Sequence, residues 1–471
     1  PSYRRMVFDE LCANFLTLSK SRRRIKRIKM PKKFSIHNCN KIIKSLPFTL
    51  TSSQIEVSNQ INSDLLSSNR MFRIIQGDVG SGKTIVSLLS IFNVIKSGYQ
   101  CALMSPTEIL SKQHYELSKK IFNNENLTIN FLTGKTEYRD KKIIMDNLKN
   151  GKTQLLIGTH ALFQKKISFK KLGLIVIDEQ HKFGVNQRSE LAKKGGNNCD
   201  VLLMSATPIP RTMMMSLYGD MDISKITEKP AKRKKIITLS KPEKKISELW
   251  PFISKQINNN GQVFWVCPLI EDSSFLDYSS AKNKFELINK KFPNKVGIIH
   301  GSLEKKEKEK ILKDFLKKKI SILVSTTVIE VGIDFPNSNL IIIENANRFG
   351  LAQLHQLRGR VGRGDKQGVC ILLFKDGLSK NAVKRLKILK NSDDGFFIAE
   401  EDLKLRGFGD LIGYQQSGIK NFRFADPVLH EDLFKLAENY VKNINDDINQ
   451  KKYSFLLKLF DRAEIINTSD I

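Results

Sequence analysis

Paired cysteines are missing from this chain. The six present, Cys12, Cys39, Cys101, Cys199, Cys267 and Cys370, stand far apart and form no C-x-x-C pair. That argues against a clustered-thiolate zinc site and against a dense disulfide framework, and reads as reduced thiols in a cytoplasmic protein. Long apolar runs are missing too. None approaches the roughly 18 residues of a spanning helix, and the Arg-rich start lacks the apolar centre of a signal peptide, so no membrane partner is expected. No segment recurs at a fixed period, which argues against a solenoid. Acidic residues are scarce: 48 Asp and Glu face 79 Lys and Arg, a formal charge of +31. A surface this basic gathers a polyanion by releasing its counterions. The alternative is a biased composition, since Lys, Asn and Ile are abundant throughout and solvated Lys faces need no partner. A first residue of Pro1 instead of Met carries the expectation that the natural N-terminus lies upstream.

At 471 residues two or three domains are expected. Residues 1–45 combine a helical stretch, RMVFDELCANFLTL, with a basic run, SRRRIKRIKMPKK, read as a solvated or phosphate-facing connector. Over 46–228 short apolar runs (RIIQ, QCALMS, QLLIGT, LGLIVIDE, DVLLMSAT) alternate with helical stretches, the pattern of an α/β domain with a parallel sheet. The Lys-rich bridge KPAKRKK opens a second α/β domain, 229–376, with strands QVFWVCP, KVGIIHG, ISILVSTT, NLIIIEN and GVCILLF. Region 377–471 is helical in NAVKRLKIL and HEDLFKLAENYV, around a glycine-spaced loop, RGFGDLIGYQQSG.

The eight residues GDVGSGKT follow the apolar strand MFRII and precede IVSLLSIFNVI. Strand, glycine-rich loop and helix in that order point to a bound nucleoside triphosphate. Gly77, Gly80 and Gly82 let backbone N–H groups turn inward on phosphate oxygens, with Asp78 and Ser81 between them. Lys83 adds charge on the β- and γ-phosphates, and Thr84 offers a hydroxyl to Mg²⁺. A plain connecting turn is the competing reading, which the complete match in strand-to-helix context disfavours. The buried run LGLIVIDE ends in two carboxylates with different duties: Asp178 to hold Mg²⁺ and Glu179 to orient and deprotonate the attacking water. Acidic residues after a strand also serve as helix caps. In QLHQLRGRVGRG, Arg358, Arg360 and Arg363 stand among glycines. They suit charge stabilisation on a departing γ-phosphate, or, without that context, an anion-coating surface loop.

Taken together these segments resemble superfamily 2 helicases and translocases over nearly the whole chain. The resemblance implies two tandem RecA-like parallel-sheet domains, with a flanking N-terminal helical segment and a C-terminal helical hairpin and loop. It implies ATP and Mg²⁺ as cofactors. It carries an adenine-reading role to Phe48 and Gln54 in LPFTLTSSQ, a nucleotide contact to Asp334 in STTVIEVGIDFPN, and catalytic roles to Gln356, Arg360 and Arg363. Strand contact or coupling is implied for Thr107 in SPTEIL, Thr133 and Gly134 in LTG, Thr159 and His160 in GTHAL, His181, Ser205 and Thr207 in SAT, His300 in HGSL, and Thr326. Within the superfamily, GDVGSGKT, DEQHKFGVNQR, MSATPIPRT and DGFFIAEEDLKLRGFGDLIGYQQSG resemble the RecG family, whose last segment is a translocation motif shared with the transcription-repair coupling factor. Arg406 and Gln416 fit that motif. Phe408, where the family usually has proline, and Gln415, where a basic residue is common, depart from it. The implied function is ATP-driven remodelling of branched double-stranded DNA by a monomer, with single-stranded DNA-binding protein as a further partner. The family's N-terminal wedge domain is not represented in these residues. A coupling-factor activity, an RNA helicase and a non-catalytic ATP-gated module stay open as alternatives.

Overall fold

The computed structural model describes residues 2–25, 29–34, 36–164, 166–179, 196–210, 221–230, 234–268, 274–326, 335, 337–362, 364, 366–406, 422–426, 429–444 and 451–460. Two compact units emerge. Pro1–Gly77, Ser81–Glu228 and Leu403–Ile471 form the first, and Asp78–Gly80 with Lys229–Asp402 the second.

In the first unit, helices α1 (Ser2–Ile25), α2 (Ile36–Ser45) and α3 (Ser52–Leu66) precede a seven-stranded sheet. Its elements are β1 (Phe72–Gly77), α4 (Lys83–Lys96), β2 (Gln100–Met104), α5 (Glu108–Ile121), β3 (Ile129–Leu132), α6 (Tyr138–Lys149), β4 (Leu155–Gly158), β5 (Leu172–Ile177), β6 (Asp200–Ser205) and β7 (Asp222–Ile226). The spatial order is β3-β4-β2-β5-β6-β1-β7, with every pairing parallel. The central strands β2, β4, β5 and β6 are buried throughout because both faces are covered, whereas β7 (DISKI) and β3 (INFL) are not. Ile75, Leu103, Val176 and Leu202 pack on one face with Val86, Leu89 and Phe92 of α4. Their neighbours Ile74, Met104, Ile175 and Leu203 pack on the other with Leu162 and Met221. Each such side chain stabilises the fold by roughly 1.5–3 kcal/mol.

The second unit runs through β8 (Ile237–Pro242), α7 (Trp250–Asn258), β9 (Gln262–Val266), α8 (Ser274–Lys291), β10 (Val296–Ile299), α9 (Lys305–Leu316), β11 (Ile322–Ser325), β12 (Ser338–Ile343), α10 (Leu351–Arg358), β13 (Val369–Phe374) and α11 (Lys380–Asn391). Its six strands are also parallel, in the order β10-β11-β9-β12-β13-β8. Val263, Trp265, Ile342 and Ile371 pack against Ile253 and Ile257 of α7. On the opposite face Phe264, Phe315 and Phe335 meet edge to face or tilted at 5.1–5.5 Å between ring centres. Helix α12 (Gly395–Arg406) leads out of this region, and α13 (Glu431–Asn443) and α14 (Lys451–Leu459) follow.

Helix α1 belongs to the first unit, where Val7, Leu11, Phe15 and Leu16 pack on Phe434, Ala437, Val441 and Leu457 of α13 and α14. Polar contacts accompany this cluster: the buried Glu10 carboxylate accepts the backbone N–H groups of Arg423, Phe424 and Ala425 at 2.6, 2.9 and 2.9 Å. Three donors leave that charge well solvated by the chain itself.

Two lysines of the basic run depart from the reading as a solvated or phosphate-facing connector, while Lys33 is exposed and the side chains of residues 21–28 lie outside the described residues. Lys29 and Lys32 are buried against Asp200 at the amino end of β6. Lys29 Nζ lies 2.8 Å from both carboxylate oxygens, Lys32 Nζ bonds the second of them and the Asn198 carbonyl, and Asp200 also accepts the Met71 N–H at 2.7 Å. Burial lowers the Lys29 pKa, and the neighbouring carboxylate opposes that shift. A charge run is solvated only where no carboxylate waits beneath it, and here one does.

Candidate nucleotide site and its surroundings

A parallel sheet places its functional groups beyond the carboxyl ends of its strands, and the first unit does so at β1, β5 and β6. The turn after β1 enters α4 through Gly82, whose φ is +88°. A Cβ there would stand 2.2 Å from Gln54 Nε2 on a left-handed backbone, which favours glycine, and one at Gly77 would stand 2.5 Å from Ser81 Oγ and crowd that hydroxyl. Gln54 belongs to the capping box of α3 with Thr51, and its Nε2 donates to the Ser81 carbonyl at 2.8 Å. The segment LTSSQ therefore braces the loop from outside. Lys83 Nζ donates to the Gly77 carbonyl at 2.7 Å, folded back over the turn.

Whether a triphosphate suits this cradle is tested by the polar atoms it leaves over. Ser81 is buried, yet among the described residues its Oγ has no hydrogen-bond partner. Such a group destabilises a protein unless something else satisfies it. A phosphate oxygen would satisfy it, and would give Lys83 a stronger partner than a carbonyl. Thr84 is half-buried in the first turn of α4, where backbone N–H groups favour an anion.

Two strands away, the Asp178 N–H continues the ladder to the Met104 carbonyl at 2.8 Å, and Asp178 Oδ1 accepts the Glu179 N–H at 2.9 Å. Glu179 is buried with a left-handed φ of +52°. A non-glycine residue held there is strained, a feature that clusters at functional sites. Hard oxygen donors at Asp178 and Thr84 suit Mg²⁺.

One neighbour escaped the sequence reading. His114 Nε2 lies 2.8 Å from Asp178 Oδ2, and both side chains are buried. The signal was available: Leu110, Ser111, His114 and Ser118 share the inner face of α5 at helical spacing, and α5 follows β2, which pairs with β5. A histidine on that stripe comes to rest beside the carboxylate ending β5.

The other expected positions differ in placement. Thr107, Thr133 and Ser205 have internal duties: Thr107 caps α5 through the Leu110 N–H, Thr133 Oγ1 accepts the Lys135 N–H, and Ser205 Oγ bonds the carbonyl and hydroxyl of Thr207 at 3.0 and 3.1 Å. Thr159 caps a short turn whose first residue, His160, is exposed; Phe48 is exposed; and Gly134 borders open space. Asp78 and Gly80 group with the second unit. Also in the second unit, His300 and Thr326 are buried, and Thr326 Oγ1 has no partner among the described residues. Burial, then the Lys308 charge, pushes the His300 pKa down. Gln356 is half-buried and Arg360 buried. Arg358 serves as a brace, donating to the carbonyls of Leu389 and Ser392 at 2.6 and 2.9 Å. His181, Asp334, Arg363, Gln416 and the Arg406 side chain lie outside the described residues.

Three family models match the chain: DEAD/DEAH box helicase over residues 51–216, helicase conserved C-terminal domain over 244–365, and ATP-dependent DNA helicase RecG, domain 3, C-terminal, over 392–459. Among curated proteins, the ATP-dependent DNA helicase RecG of Thermotoga maritima is 45% identical over 437 residues, covering 92% of this chain and 55% of that protein. Its counterpart in Aquifex aeolicus is 43% identical, covering 98% of this chain and 60% of the other. The Haemophilus influenzae RecG is 38% identical over 475 residues, 100% of this chain and 68% of that protein. This chain thus spans little more than half the length of the first two. A solved structure of RecG bound to a three-way DNA junction superposes with a TM-score of 0.78 at 42% identity, over 93% of this chain and 57% of the other. Mss116p, solved with single-stranded RNA and AMP-PNP, shares the fold alone, at 20% identity and a TM-score of 0.57 over 94% of this chain and 98% of the other. With three consecutive family models, and a relative matched along this entire chain and two thirds of its own, the chain belongs to the RecG family.

Proposed function

We propose that this chain is the motor of an ATP-dependent helicase that translocates on double-stranded DNA and remodels branched substrates, stalled forks and Holliday junctions. The observation that carries the reading is the glycine cradle, with Ser81 Oγ buried and unpaired and Lys83 folded back on Gly77, on the same sheet as the Asp178–Glu179 pair. Lys83 holds the β- and γ-phosphates, Gln54 and Phe48 the adenine, and Gly77, Asp78, Gly80, Ser81, Gly82 and Asp334 complete the nucleotide contacts. Thr84 and Asp178 would hold Mg²⁺, which would supply positive charge to the phosphates. Glu179 orients the attacking water, and Gln356, Arg360 and Arg363 supply the charge that meets the departing phosphate.

Branched DNA as substrate rests on the family and on the related RecG solved with a three-way junction. The surplus of positive charge suits a phosphate backbone held without base readout. Grip falls to Thr107, Thr133, Gly134, Thr159, His160 and Thr326, and coupling to His181, Ser205, Thr207, His300, Arg406 and Gln416. We place the protein in the cytoplasm as a monomer, with single-stranded DNA-binding protein as a partner; among the described residues no helix is long and apolar enough to cross a membrane.

The test is phosphate release with linear, forked and four-way DNA, for the wild type and for Lys83→Ala. Turnover stimulated by branched DNA and lost in Lys83→Ala, with salt-sensitive DNA binding retained, supports the proposal. Full turnover in Lys83→Ala would refute the site, stimulation by duplex RNA alone would make the chain an RNA helicase, and DNA binding gated by ATP without hydrolysis would remove the motor.

A further inference from the structure

Immediately before the phosphate loop stands a side chain that the nucleotide reading leaves without a role. Gln76, near the carboxyl end of β1, is fully buried, and among the described residues neither Oε1 nor Nε2 of its carboxamide has a hydrogen-bond partner. A carboxamide offers two acceptor and two donor sites, and burying all of them unused disfavours this state against any state that pairs them. An apolar residue would fill the space without that penalty. The polar group therefore points to a second arrangement of its surroundings.

Strand register identifies the neighbours. Ile177, Leu203 and Ile74 form one row across β5, β6 and β1, on one face of the sheet. Two residues further along β6 and β1, on that same face by alternation, stand Ser205 and Gln76, paired in register, while β5 ends at Ile177 and Glu179 lies beyond it on a left-handed backbone. The pair thus joins the first residue of SAT to the residue that carries the phosphate loop. Its first member has a choice of partners. Ser205 Oγ now bonds Thr207, at 3.0 Å to the carbonyl and 3.1 Å to the hydroxyl, and a hydroxyl rotates readily to another acceptor or donor.

We propose that Gln76 is a positioning residue for ATP turnover: when the phosphate loop is occupied, its carboxamide takes Ser205 Oγ from Thr207 and so reports occupancy to the SAT element. The inference rests on the ATPase reading above. Two discrete pairings of one hydroxyl make a two-state element that nucleotide can bias. The arrangement described leaves the carboxamide unsatisfied and Thr207 engaged; the other satisfies the carboxamide and frees Thr207.

The experiment replaces the amide with an apolar group of like length, Gln76→Met, with Gln76→Leu as a second variant should the first fold poorly. Without nucleotide, the melting temperature is expected to hold or rise, because an unpaired polar group has been removed. KM for ATP is expected to stay within twofold, while the DNA-stimulated kcat falls tenfold or more. Hydrogen exchange supplies the independent readout: AMP-PNP should change protection at the amides of Ser205 to Thr207 in the wild type and not in the variants. A wild-type kcat in both variants overturns the proposal, as does a nucleotide-induced exchange response at 205–207 equal to that of the wild type. A lowered melting temperature with kcat and KM failing together assigns Gln76 to packing, and overturns it too. Should the wild type itself show no DNA-stimulated turnover, the motor reading fails, and the exchange comparison alone decides on Gln76.

Discussion

Asp200→Asn removes one charge while keeping the side chain's shape, and the structure sets the cost. Asp200, Lys29 and Lys32 have no exposed side-chain surface. Two ammonium groups share one carboxylate, so its loss leaves two buried like charges with weaker partners, the Asp64 carbonyl for Lys29 and, for Lys32, the Asn198 carbonyl and the Tyr99 ring 5.1 Å away. Breaking a buried ion pair by removing one member costs about 3–5 kcal/mol. At about 1.4 kcal/mol per factor of ten, amide protection in β1 and β6, which pair with each other, should fall roughly a hundredfold to a few thousandfold. Hydrogen exchange is the right assay, because Trp250 and Trp265 both lie in the second unit and fluorescence would not report the first. Lys32→Met, which leaves Lys29 and Asp200 matched one to one, should cost less than about 2 kcal/mol. The pH dependence supplies a sign. Lys29 is already held below its ordinary pKa of 10.5 by burial, and without Asp200 it falls further. Between the folded and unfolded pKa values the unfolded chain binds more protons, so stability rises with pH. The deficit of Asp200→Asn should therefore shrink as pH climbs from 7 toward 10. A loss under about 1 kcal/mol, or one that does not narrow, would refute the account of a buried, charged cluster.

Other outcomes rest on single contacts. Gly82→Ala should abolish binding of a fluorescent ATP analogue, since its Cβ meets Gln54 Nε2 at 2.2 Å on a backbone with φ +88°; unchanged affinity would show that Gln54 does not brace the loop. His114→Gln should raise the half-saturating Mg²⁺ for turnover about tenfold or more, as loss of a partner behind a ligating carboxylate does, and an unaltered requirement would make His114 a packing residue. All six cysteines are buried, and burial pushes the thiols of Cys12, Cys39, Cys199 and Cys370 up to about 12. A thiol reagent at pH 8 should label few sites before denaturant and six after; rapid labelling of the native protein would contradict the packing described.

What the sequence disclosed and what it hid differ for a physical reason. The central strands were legible because they are buried on both faces, so LGLIVI and DVLLMS stand out as apolar runs, whereas INFL, DISKI and ITLSKP, each with half-buried or exposed positions, were not read as strands. GDVGSGKT was legible because phosphate binding needs its residues consecutively. His114 was not, because its partner Asp178 is far along the chain and joins it only through the β2–β5 pairing. Lys29 and Lys32 were misread for the same reason: nothing in a basic run says that an aspartate at position 200 will lie beneath it. The arginines of RGRVGR look interchangeable in one dimension, yet Arg358 is spent on the carbonyls of Leu389 and Ser392.

The first sheet separates its buried polar groups by edge, and that separation bears on where motion is possible. At the amino edge they are saturated: Asp200 accepts from two lysines and the Met71 N–H, and Gln100 donates to the carbonyls of Leu148 and Thr153 while accepting the Lys171 N–H. At the carboxyl edge pairing is incomplete: Asp178 meets His114 and Ser205 meets Thr207, but Gln76 and Ser81 stay unpaired among the described residues. Saturated groups hold one arrangement, because any change forfeits a bond, whereas unpaired groups favour whichever change supplies one. In the second sheet the division is less clean. Ser325 and Thr326 are unpaired at the carboxyl end of β11, but so are Ser338 and Asn339 at the amino end of β12. A ligand arriving at the carboxyl edge of the first sheet thus meets groups with bonds still to make, on strands whose opposite ends are pinned, and its binding energy can be spent on local rearrangement at residues such as Ser205 without loosening the sheet.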